Sequence, residues 1–367
     1  MIEQLFFWML TVLCAAYVVF HAALWQGFSR LTYPKYSLPK QHMSVIVAAR
    51  NEEATIGNLL ESLLHQEYPP DCFEIIIVND RSTDATASIV SSYQQKFPGI
   101  RLIDIRENIS DMPHKKNALR TAIAEARFDI LCFTDADCIV PPSWLQNISD
   151  HFIEKVGVVA GYSPYQTGTA GSFLRYEELK NSAIAAAAVG AGVPFMCTGR
   201  NFAYRKRVFT DVGGFDKIKH SVSGDDDLFL QLVSKETDWE IRYMTGPGSA
   251  VSTFPPVSFS HFIHQRTRHV SASAFYPRLI QTGYAVSHLF HLSLLIGLMV
   301  IPQTAIMMLA IKFITDGAIV SAGIKIFRQE MVVAEFFIDE VLLVLYSLLI
   351  APAGFVRTFS WKGTTVQ

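Results

Sequence analysis

Cysteine is scarce in this sequence, which has only five cysteines among its 367 residues. They are scattered at positions 14, 72, 132, 138 and 197, and no two of them form a Cys-x-x-Cys pair. An odd, scattered set argues against a disulfide framework and against a structural zinc site. We therefore expect small buried thiols in a chain that faces a reducing compartment.

A surplus of positive charge is also missing, because 31 Lys and Arg stand against 33 Asp and Glu. The formal net charge of −2 gives no reason to expect a nucleic-acid partner. Charged residues make up 17% of the chain and hydrophobic residues 50%. The apolar excess is concentrated at the two ends, which indicates membrane segments on either side of a soluble middle.

The N-terminal apolar run, residues 5–25, is long enough to cross a bilayer. Its start is the acidic Glu3, which favours a signal anchor over a cleaved signal peptide. Arg30, Lys35 and Lys40 follow the run, and basic residues favour the cytoplasmic side. We expect an integral protein of the cell (inner) membrane, surrounded by membrane lipid, with its N-terminus outside and its catalytic domain cytoplasmic.

Three further apolar runs lie near the C-terminus, at residues 285–301, 304–324 and 341–356. The second run contains Lys312 and Asp316, whose spacing of four residues allows an ion pair within one helix. These runs predict two or three membrane spans in the C-terminal region, and three or four in the whole chain.

Between the two ends, short apolar runs alternate with stretches of helical periodicity. Strands are predicted at residues 43–48, 73–78, 99–105 and 128–133, and helices at residues 54–66 and 115–126. This alternation is typical of an α/β, Rossmann-like fold with a mixed, mostly parallel sheet flanked by helices. Ligands bind such sheets outside the carboxyl ends of the strands.

Polar side chains follow three of these predicted strands. Asn51 and Glu52 follow the first strand, Asp80 follows the second, and Asp135 and Asp137 follow the fourth. An Asp-x-Asp pair alone is most often a solvated turn, but here three separate stretches converge on one edge of the sheet. Carboxylates at i and i+2 are hard oxygen ligands that suit a divalent cation holding phosphate oxygens.

The second half of the soluble region is less regular. A strand is predicted at residues 157–164 and an alanine-rich helix at residues 172–190. Asp225, Asp226 and Asp227 stand at a helix start, where one carboxylate would suffice as a cap. Crowded carboxylates raise one another's pKa, which suits a general base. Residues 259–275 predict an amphipathic helix at the membrane surface, whose basic groups form either a solvated face or a contact to a diphosphate.

Seven motifs connect these features. In chain order they are Ser44-Val-Ile-Val-Ala-Ala-Arg-Asn-Glu-Glu53, Val78-Asn-Asp-Arg-Ser-Thr-Asp84, Lys115-Lys-Asn-Ala-Leu119, Thr134-Asp-Ala-Asp137, Gly199-Arg-Asn-Phe-Ala203, Val212-Gly-Gly-Phe-Asp216 and Gly224-Asp-Asp-Asp-Leu228. The order resembles that of inverting family 2 glycosyltransferases. Together with the flanking apolar runs, it resembles their membrane-embedded branch, which includes cellulose, chitin and hyaluronan synthases.

The resemblance implies a GT-A fold and an inverting transfer of a sugar from a nucleotide-diphosphate sugar, with a UDP-sugar favoured. The acceptor would be a lipid-linked molecule or a glycan, the product a polysaccharide or glycolipid, and the cofactor Mg²⁺ or Mn²⁺. The implied domains are a signal anchor at residues 1–30, a catalytic domain at 41–255 with a nucleotide half (41–137) and an acceptor half (138–255), an interfacial helix at 256–280 and a membrane region at 284–357.

The resemblance also implies roles for single residues. The implied donor-binding residues are Asn51, Glu52, Asp80, Lys115 and Asp135, the metal ligand is Asp137 with Asp135 as a possible second, and the acceptor and diphosphate residues are Gly199, Asn201, Gln265, Arg268 and His269. The general base is Asp225, with Asp226 as the alternative. Two positions depart from the family pattern, because His114 replaces a glycine and His269 replaces a tryptophan. An imidazole has less stacking area than an indole, so a lipid or short-glycan acceptor is as compatible as a long polymer.

Two rival interpretations remain open from the sequence. A catalytically silent membrane scaffold of the same fold is disfavoured because every carboxylate that the chemistry needs is present. A nucleotidyltransferase would normally carry a glycine-rich first loop, whereas residues 49–53 contain no glycine.

Overall fold

A computed structural model of the protein describes residues 1–33, 39–107, 112–356, 359–361 and 364–366. Lys35, which supported the predicted orientation, and residue 357, the predicted end of the membrane region, lie outside the described residues. The α-helices of the described part are α1 (Ile2–Phe28), α2 (Ile56–Leu64), α3 (Thr86–Lys96), α4 (His114–Glu125), α5 (Trp144–His151), α6 (Ser172–Gly190), α7 (Lys206–Asp211), α8 (Asp227–Glu236), α9 (Phe259–Ala272), α10 (Arg278–Val300), α11 (Pro302–Phe327) and α12 (Val333–Val356).

The strands are short, as the apolar runs predict. They are β1 (Met43–Ala49), β2 (Phe73–Asp80), β3 (Ile100–Ile105), β4 (Ile130–Phe133), β5 (Cys138–Ile139), β6 (Val156–Gly161), β7 (Phe202–Arg205), β8 (Glu240–Met244), β9 (Ser252–Thr253), β10 (Phe359–Trp361) and β11 (Thr364–Val366). All five cysteines lie among the described residues and are free, and Cys14, Cys132 and Cys138 are buried.

Seven of these strands form one sheet in the order β3-β2-β1-β4-β7-β6-β8. Neighbouring strands are parallel except where β7 runs antiparallel to both β4 and β6. This confirms the predicted mixed, mostly parallel sheet flanked by helices. Strand β2 is two residues longer than predicted, because its ladder with β3 continues as far as the pair Asp80 and Ile105. Asp80 is therefore the last residue of a strand rather than part of a loop.

Helix α2 shows why the apolar pattern dictates the packing. Ile56, Leu59, Leu60 and Leu63 recur at helical spacing and are fully buried in one core cluster with residues of β1 and β2. Burial of each such side chain is worth about 1.5–3 kcal/mol. The core thus holds the ends of β1 and β2 in place. It thereby also sets the positions of the polar residues that follow these strands.

The chain folds into two compact units. Residues 31–170 and 193–255 form the first, which contains the seven-stranded sheet and is called the sheet unit below. Residues 1–30, 171–192 and 256–367 form the second, called the helical unit. Helix α6 falls inside the range predicted for the catalytic domain, but it belongs to the helical unit.

Three described helices of the helical unit are long and apolar enough to cross a membrane. They are Glu3–Phe28, Arg278–Val300 and Pro302–Phe327. Each exposes large apolar side chains, such as Leu5, Met299 and Ile314. A lipid environment would cover this apolar surface.

Ionic side chains are nevertheless buried inside the helical unit. The Lys312 ammonium lies 2.7 Å from the Asp316 carboxylate, so the predicted i,i+4 pair is confirmed. Lys312 also contacts Glu340, and Lys180 lies 2.9 Å from Glu340 and 3.2 Å from Asp316. Two cations and two anions therefore balance one another in a network that joins α6, α11 and α12. We call these four residues the buried ionic network.

Helices α1 and α6 touch backbone to backbone within the same unit. A Cβ atom at Gly27 would lie 1.9 Å from the carbonyl oxygen of Ala187, and one at Gly190 would lie 2.0 Å from the carbonyl oxygen of Gly27. Neither contact can be relieved by a side-chain rotation, since the opposing atoms belong to the backbone. The two glycines therefore set the distance between the helices.

We expect Gly27→Ala to destabilise the protein by about 1–3 kcal/mol, because it overpacks this contact. Gly283→Ala is the matched control in the same unit, since nothing lies within 4 Å of a Cβ there. Alanine favours a helix by about 1 kcal/mol over glycine, so the control should be neutral or stabilising. Thermal unfolding of the detergent-solubilised variants measures the difference, and equal melting temperatures would contradict the close contact.

Candidate active site

The loops after β1 and β2 are locked together by hydrogen bonds. Asn51 adopts a left-handed backbone (φ 53°), and its side-chain oxygen accepts the backbone N–H of Thr83 at 2.8 Å. The backbone N–H of Asn51 donates in turn to the Ser82 hydroxyl at 3.0 Å. The N–H of Glu52 donates to the Thr86 hydroxyl at 2.8 Å. Asn51 and Glu52 are thus held beside the end of β2, as the shared sheet edge predicts.

Asp80 lies at the centre of a polar cluster at this edge. Its carboxylate accepts from Arg81 at 2.9 Å, and Arg50 lies 4.0 Å away. A nitrogen of Arg81 also lies 2.8 Å from Nδ1 of His114. Burial and the neighbouring Arg81 lower the pKa of His114, which favours the neutral imidazole, and in that form Nδ1 can accept from the guanidinium. The histidine that replaces the family glycine therefore completes the Asp80 cluster.

Lys115 joins the end of β4 to the start of α8. Its ammonium lies 3.0 Å from the carboxylate of Asp135 and 3.1 Å from that of Asp225. Burial opposes the charge, but the carboxylates of Asp135, Asp225 and Asp226 raise the pKa of Lys115 well above its usual value. Asp135 and Asp225 are 90 residues apart in sequence, and the ammonium of Lys115 lies between their carboxylates.

Asp137 lies among like charges. Burial raises the pKa of Asp137 to about 6, the carboxylates of Asp135 and Glu52 contribute to the rise, and Arg200 opposes them. A divalent cation would relieve this repulsion, so these oxygen donors fit Mg²⁺ or Mn²⁺ chemically. The described residues contain no group of three or more His, Cys, Asp or Glu side chains arranged to hold a metal.

Asp225, Asp226 and Asp227 have different surroundings. The Asp226 carboxylate accepts the backbone N–H groups of Gly199 at 2.7 Å and of Asp227 at 2.8 Å, and it caps helix α8. Burial, and then the charge of Asp225, raise the pKa of Asp226. Asp227 accepts the N–H of Leu228 at 2.7 Å. Asp225, in contrast, faces the cavity described next.

One cavity collects several of the predicted residues. Its wall includes Lys115, Thr134, Asp135, Gly199, Tyr204 and Asp225, all of which belong to the sheet unit. Lys115, Asp135, Gly199 and Asp225 were predicted from the sequence, whereas Tyr204 was not. Asp226 is linked to the cavity wall through Gly199, whose backbone N–H its carboxylate accepts.

Asn201 does not line this cavity. The residue is fully buried, and its side-chain nitrogen donates to the carbonyl oxygens of Tyr162 and Ser249, each at 2.8 Å. Its side-chain oxygen accepts the indole N–H of Trp144 at 3.0 Å. Both N–H groups are used inside the protein, where Asn201 joins three segments; its predicted acceptor contact stays a prediction.

Lys116 supports the site from beneath and was not predicted from the sequence. Its ammonium is fully buried and donates to the carbonyl oxygens of Ser221 at 2.6 Å and Ser223 at 2.5 Å. These contacts hold the loop before Asp225, where Gly224 adopts a left-handed backbone (φ 86°). The second lysine of the Lys-Lys motif was the only signal, and it did not reveal which carbonyl groups it would meet.

Gln265, Arg268 and His269 lie on α9 in the helical unit, so they belong to a different unit from the carboxylates. The helix is amphipathic as predicted, with His269 exposed and Arg268 half-buried. A guanidinium nitrogen of Arg268 lies 3.3 Å from Nε2 of His269. The buried arginine of this helix is Arg266, which pairs with Glu177 at 2.5 Å.

Comparisons with known families agree with this geometry. The model of glycosyl transferase family 2 matches residues 44–213. The model of glycosyl transferase family group 2 matches residues 130–353, which is more than half of the chain. The two matches together include every predicted site residue.

Individual relatives are more distant. The probable glycosyltransferase YdaM of Bacillus subtilis is 27% identical over 277 residues, covering 68% of this chain and 62% of that protein. The beta-monoglucosyldiacylglycerol synthase of Synechocystis is 34% identical over 122 residues, covering 33% of this chain and 25% of that protein. The chain thus spans less than two thirds of the length of these curated relatives.

A solved structure extends the likeness to nearly the whole chain. The mannosyltransferase PcManGT of Pyrobaculum calidifontis, in complex with GDP-Man and Mn²⁺, has a TM-score of 0.55 and 20% identity. The match covers 94% of this chain and 99% of that one. At this level of identity the likeness concerns the fold.

Proposed function

The chain belongs to the family 2 glycosyltransferases and has their GT-A fold, and from this premise we propose that it is a metal-dependent, inverting hexosyltransferase. It would take a sugar from a nucleotide-diphosphate sugar, with a UDP-sugar favoured, and pass it to a lipid-linked or glycan acceptor. The observation that carries the proposal is the cavity in which Lys115 bridges Asp135 and Asp225.

The residues divide into roles by their surroundings. Asn51 and Glu52 stand on a loop that is locked to the loop after β2, and Asp80 ends β2 beside them, so the three residues form a rigid support for a nucleoside. Lys115 keeps its charge beside Asp135, where it can attract the diphosphate. Asp137, with Asp135, would hold Mg²⁺ or Mn²⁺, which neutralises charge on the leaving diphosphate.

Asp225 would act as the general base. It lines the cavity, whereas both oxygens of Asp226 accept backbone N–H groups. A carboxylate in this position can take the proton of an acceptor hydroxyl as that oxygen attacks the anomeric carbon from the side opposite the diphosphate. Such an attack inverts the anomeric centre. Gln265, Arg268 and His269 remain proposed acceptor and diphosphate contacts on α9.

A lipid-linked acceptor and a membrane location are supported by the helical unit and by one relative. Three helices in the described part of the chain are long and apolar enough to span a bilayer. The Synechocystis relative is named a synthase of a glucosyldiacylglycerol, a lipid product. We propose that the sheet unit lies at the cytoplasmic face of the cell membrane and that the acceptor hydroxyl comes from that face.

The purified protein in detergent should release a nucleoside diphosphate from at least one member of a panel of UDP- and GDP-sugars, in the presence of Mn²⁺ and a lipid extract. EDTA or Asp137→Ala should remove this activity. A second mixture of nucleoside triphosphates and sugar 1-phosphates tests the rival activity, and release of pyrophosphate from that mixture but of no nucleoside diphosphate from the donor panel would indicate a nucleotidyltransferase. If none of the donors is turned over, under conditions where a nucleotide still binds to the protein, the silent scaffold is indicated.

A further inference from the structure

Tyr204 carries a buried hydroxyl that the described residues leave without a partner. The residue lies on β7, is 1% exposed, and its oxygen accepts or donates no hydrogen bond within the described part of the chain. A buried polar group in this state is unfavourable, and native proteins rarely keep one without a reason. The hydroxyl was also absent from the sequence-based predictions.

The ring of Tyr204 is held firmly by its neighbours. It stacks on Phe133 with the ring centroids 4.6 Å apart, lies 4.7 Å from Phe229, and meets Phe202 edge-on at 5.5 Å. The ladder on either side pairs Tyr204 with Leu131 and Val158. Because the hydroxyl lies on the long axis of the ring, this packing fixes its position, and no rotation can bring it to another partner.

The fixed ring forms part of the wall that also contains Lys115, Asp135 and Asp225. Burial raises the pKa of Tyr204 well above its usual value, and the charge of Asp225 raises it further. The phenol therefore keeps its proton, and Tyr204 shares the cavity wall with Asp225 while holding one unused hydrogen-bond donor.

We propose that the Tyr204 hydroxyl donates a hydrogen bond to a hydroxyl oxygen of the sugar that is bound next to Asp225. This inference rests on the proposed glycosyltransferase function and adds a sugar-binding residue to it. The hydroxyl is left unpaired in the free protein and becomes satisfied when the sugar arrives. A sugar that lacks the matching hydroxyl would leave the phenol unpaired and would therefore be a poorer substrate.

Tyr204→Phe is the direct test, because it removes the oxygen and leaves the ring contacts in place. Its kcat/KM for the preferred donor should fall about 3- to 10-fold, the worth of one ordinary hydrogen bond. Its melting temperature without substrate should not fall, because no protein hydrogen bond is lost.

Tyr68→Phe is the matched control, since the Tyr68 hydroxyl donates to the carbonyl oxygen of Gln41 at 2.6 Å and contacts Ser149 at 3.1 Å, outside the cavity. The control should lose thermal stability and keep its kcat/KM at temperatures where it is folded.

A panel of monodeoxy donor and acceptor sugars identifies the paired hydroxyl. For the unmodified enzyme, the kcat/KM with one deoxy sugar should be lower than with the parent sugar by the same factor. For Tyr204→Phe, the kcat/KM with that deoxy sugar should equal the kcat/KM with the parent sugar. Full activity of Tyr204→Phe in an active enzyme would overturn the inference and leave the proposed function standing. A loss of thermal stability equal to that of Tyr68→Phe would also overturn it, because the hydroxyl would then have a partner within the protein. An enzyme with no transferase activity before substitution would refute the proposed function itself.

Discussion

Asp225→Asn is expected to lower kcat for sugar transfer by about 10²–10⁴-fold, the usual contribution of a general base. The amide cannot take the proton of the acceptor hydroxyl, yet it has almost the same size as the carboxylate. Lys115 keeps a carboxylate partner at 3.0 Å in Asp135, so its position should survive the substitution. The KM for the donor should therefore change far less than kcat.

Two neighbouring substitutions serve as controls for this result. Asp227→Asn makes the same change of charge two residues further on, at a group that accepts the N–H of Leu228, and should cost little activity. Asp226→Asn should act through the loop at Gly199 and reduce kcat less than Asp225→Asn does. The kinetics are best measured as nucleoside diphosphate release at saturating donor and acceptor. A larger loss in Asp226→Asn than in Asp225→Asn would transfer the role of base to Asp226.

The contrast between Asp225 and Asp226 shows what the sequence could not resolve. Composition and spacing predicted that a helix start would carry crowded carboxylates, and they also predicted the strands that end at Asp80 and before Asp135. They left open which of the two carboxylates faces the cavity, because that depends on Gly199, 27 residues away along the chain. Local patterns predict elements, whereas side-chain direction depends on partners from distant segments.

Buried polar contacts were the least predictable part of the site. Lys116 meets carbonyl groups more than 100 residues away, at Ser221 and Ser223. Asn201 stands in a motif that predicts an acceptor contact, and the motif gave no sign that its amide also hydrogen-bonds to Trp144, Tyr162 and Ser249. A motif indicates that a residue type is needed at a position, and it does not reveal whether the need is for binding or for folding.

The helical unit also contains side-chain partners that the local sequence does not indicate. The spacing of Lys312 and Asp316 predicted one ion pair within α11, and that pair is present. The partners that complete the network, Lys180 and Glu340, come from α6 and α12. Helix α6 was expected to belong to the catalytic domain, since its alanine-rich sequence carries no sign of the helices against which it packs.

Glu340→Ala is expected to destabilise the protein by about 3–5 kcal/mol, the cost of leaving a buried charge without its partner. The Glu340 carboxylate contacts Lys180 at 2.9 Å, Lys312, and the hydroxyl of Tyr176. Its removal leaves two buried ammonium groups with the single carboxylate of Asp316. Since whole proteins are stable by only about 5–15 kcal/mol, much of the purified variant should be unfolded or aggregated. Size-exclusion chromatography and thermal unfolding in detergent measure this effect.

Glu335→Ala is the matched control on the same helix. Glu335 pairs with Arg175 at 3.5 Å, and both side chains are substantially exposed, so its removal should cost at most about 1 kcal/mol.

Restoring the charge balance provides a second test. In Glu340→Ala combined with Lys312→Met, Lys180 still has Asp316 at 3.2 Å, and one cation faces one anion. The double variant should recover a large part of the lost stability, because the cost comes from unpaired charge rather than from a missing attraction. A double variant as unstable as Glu340→Ala alone, or a Glu340→Ala protein as stable as the control, would show that charge balance does not hold these helices together.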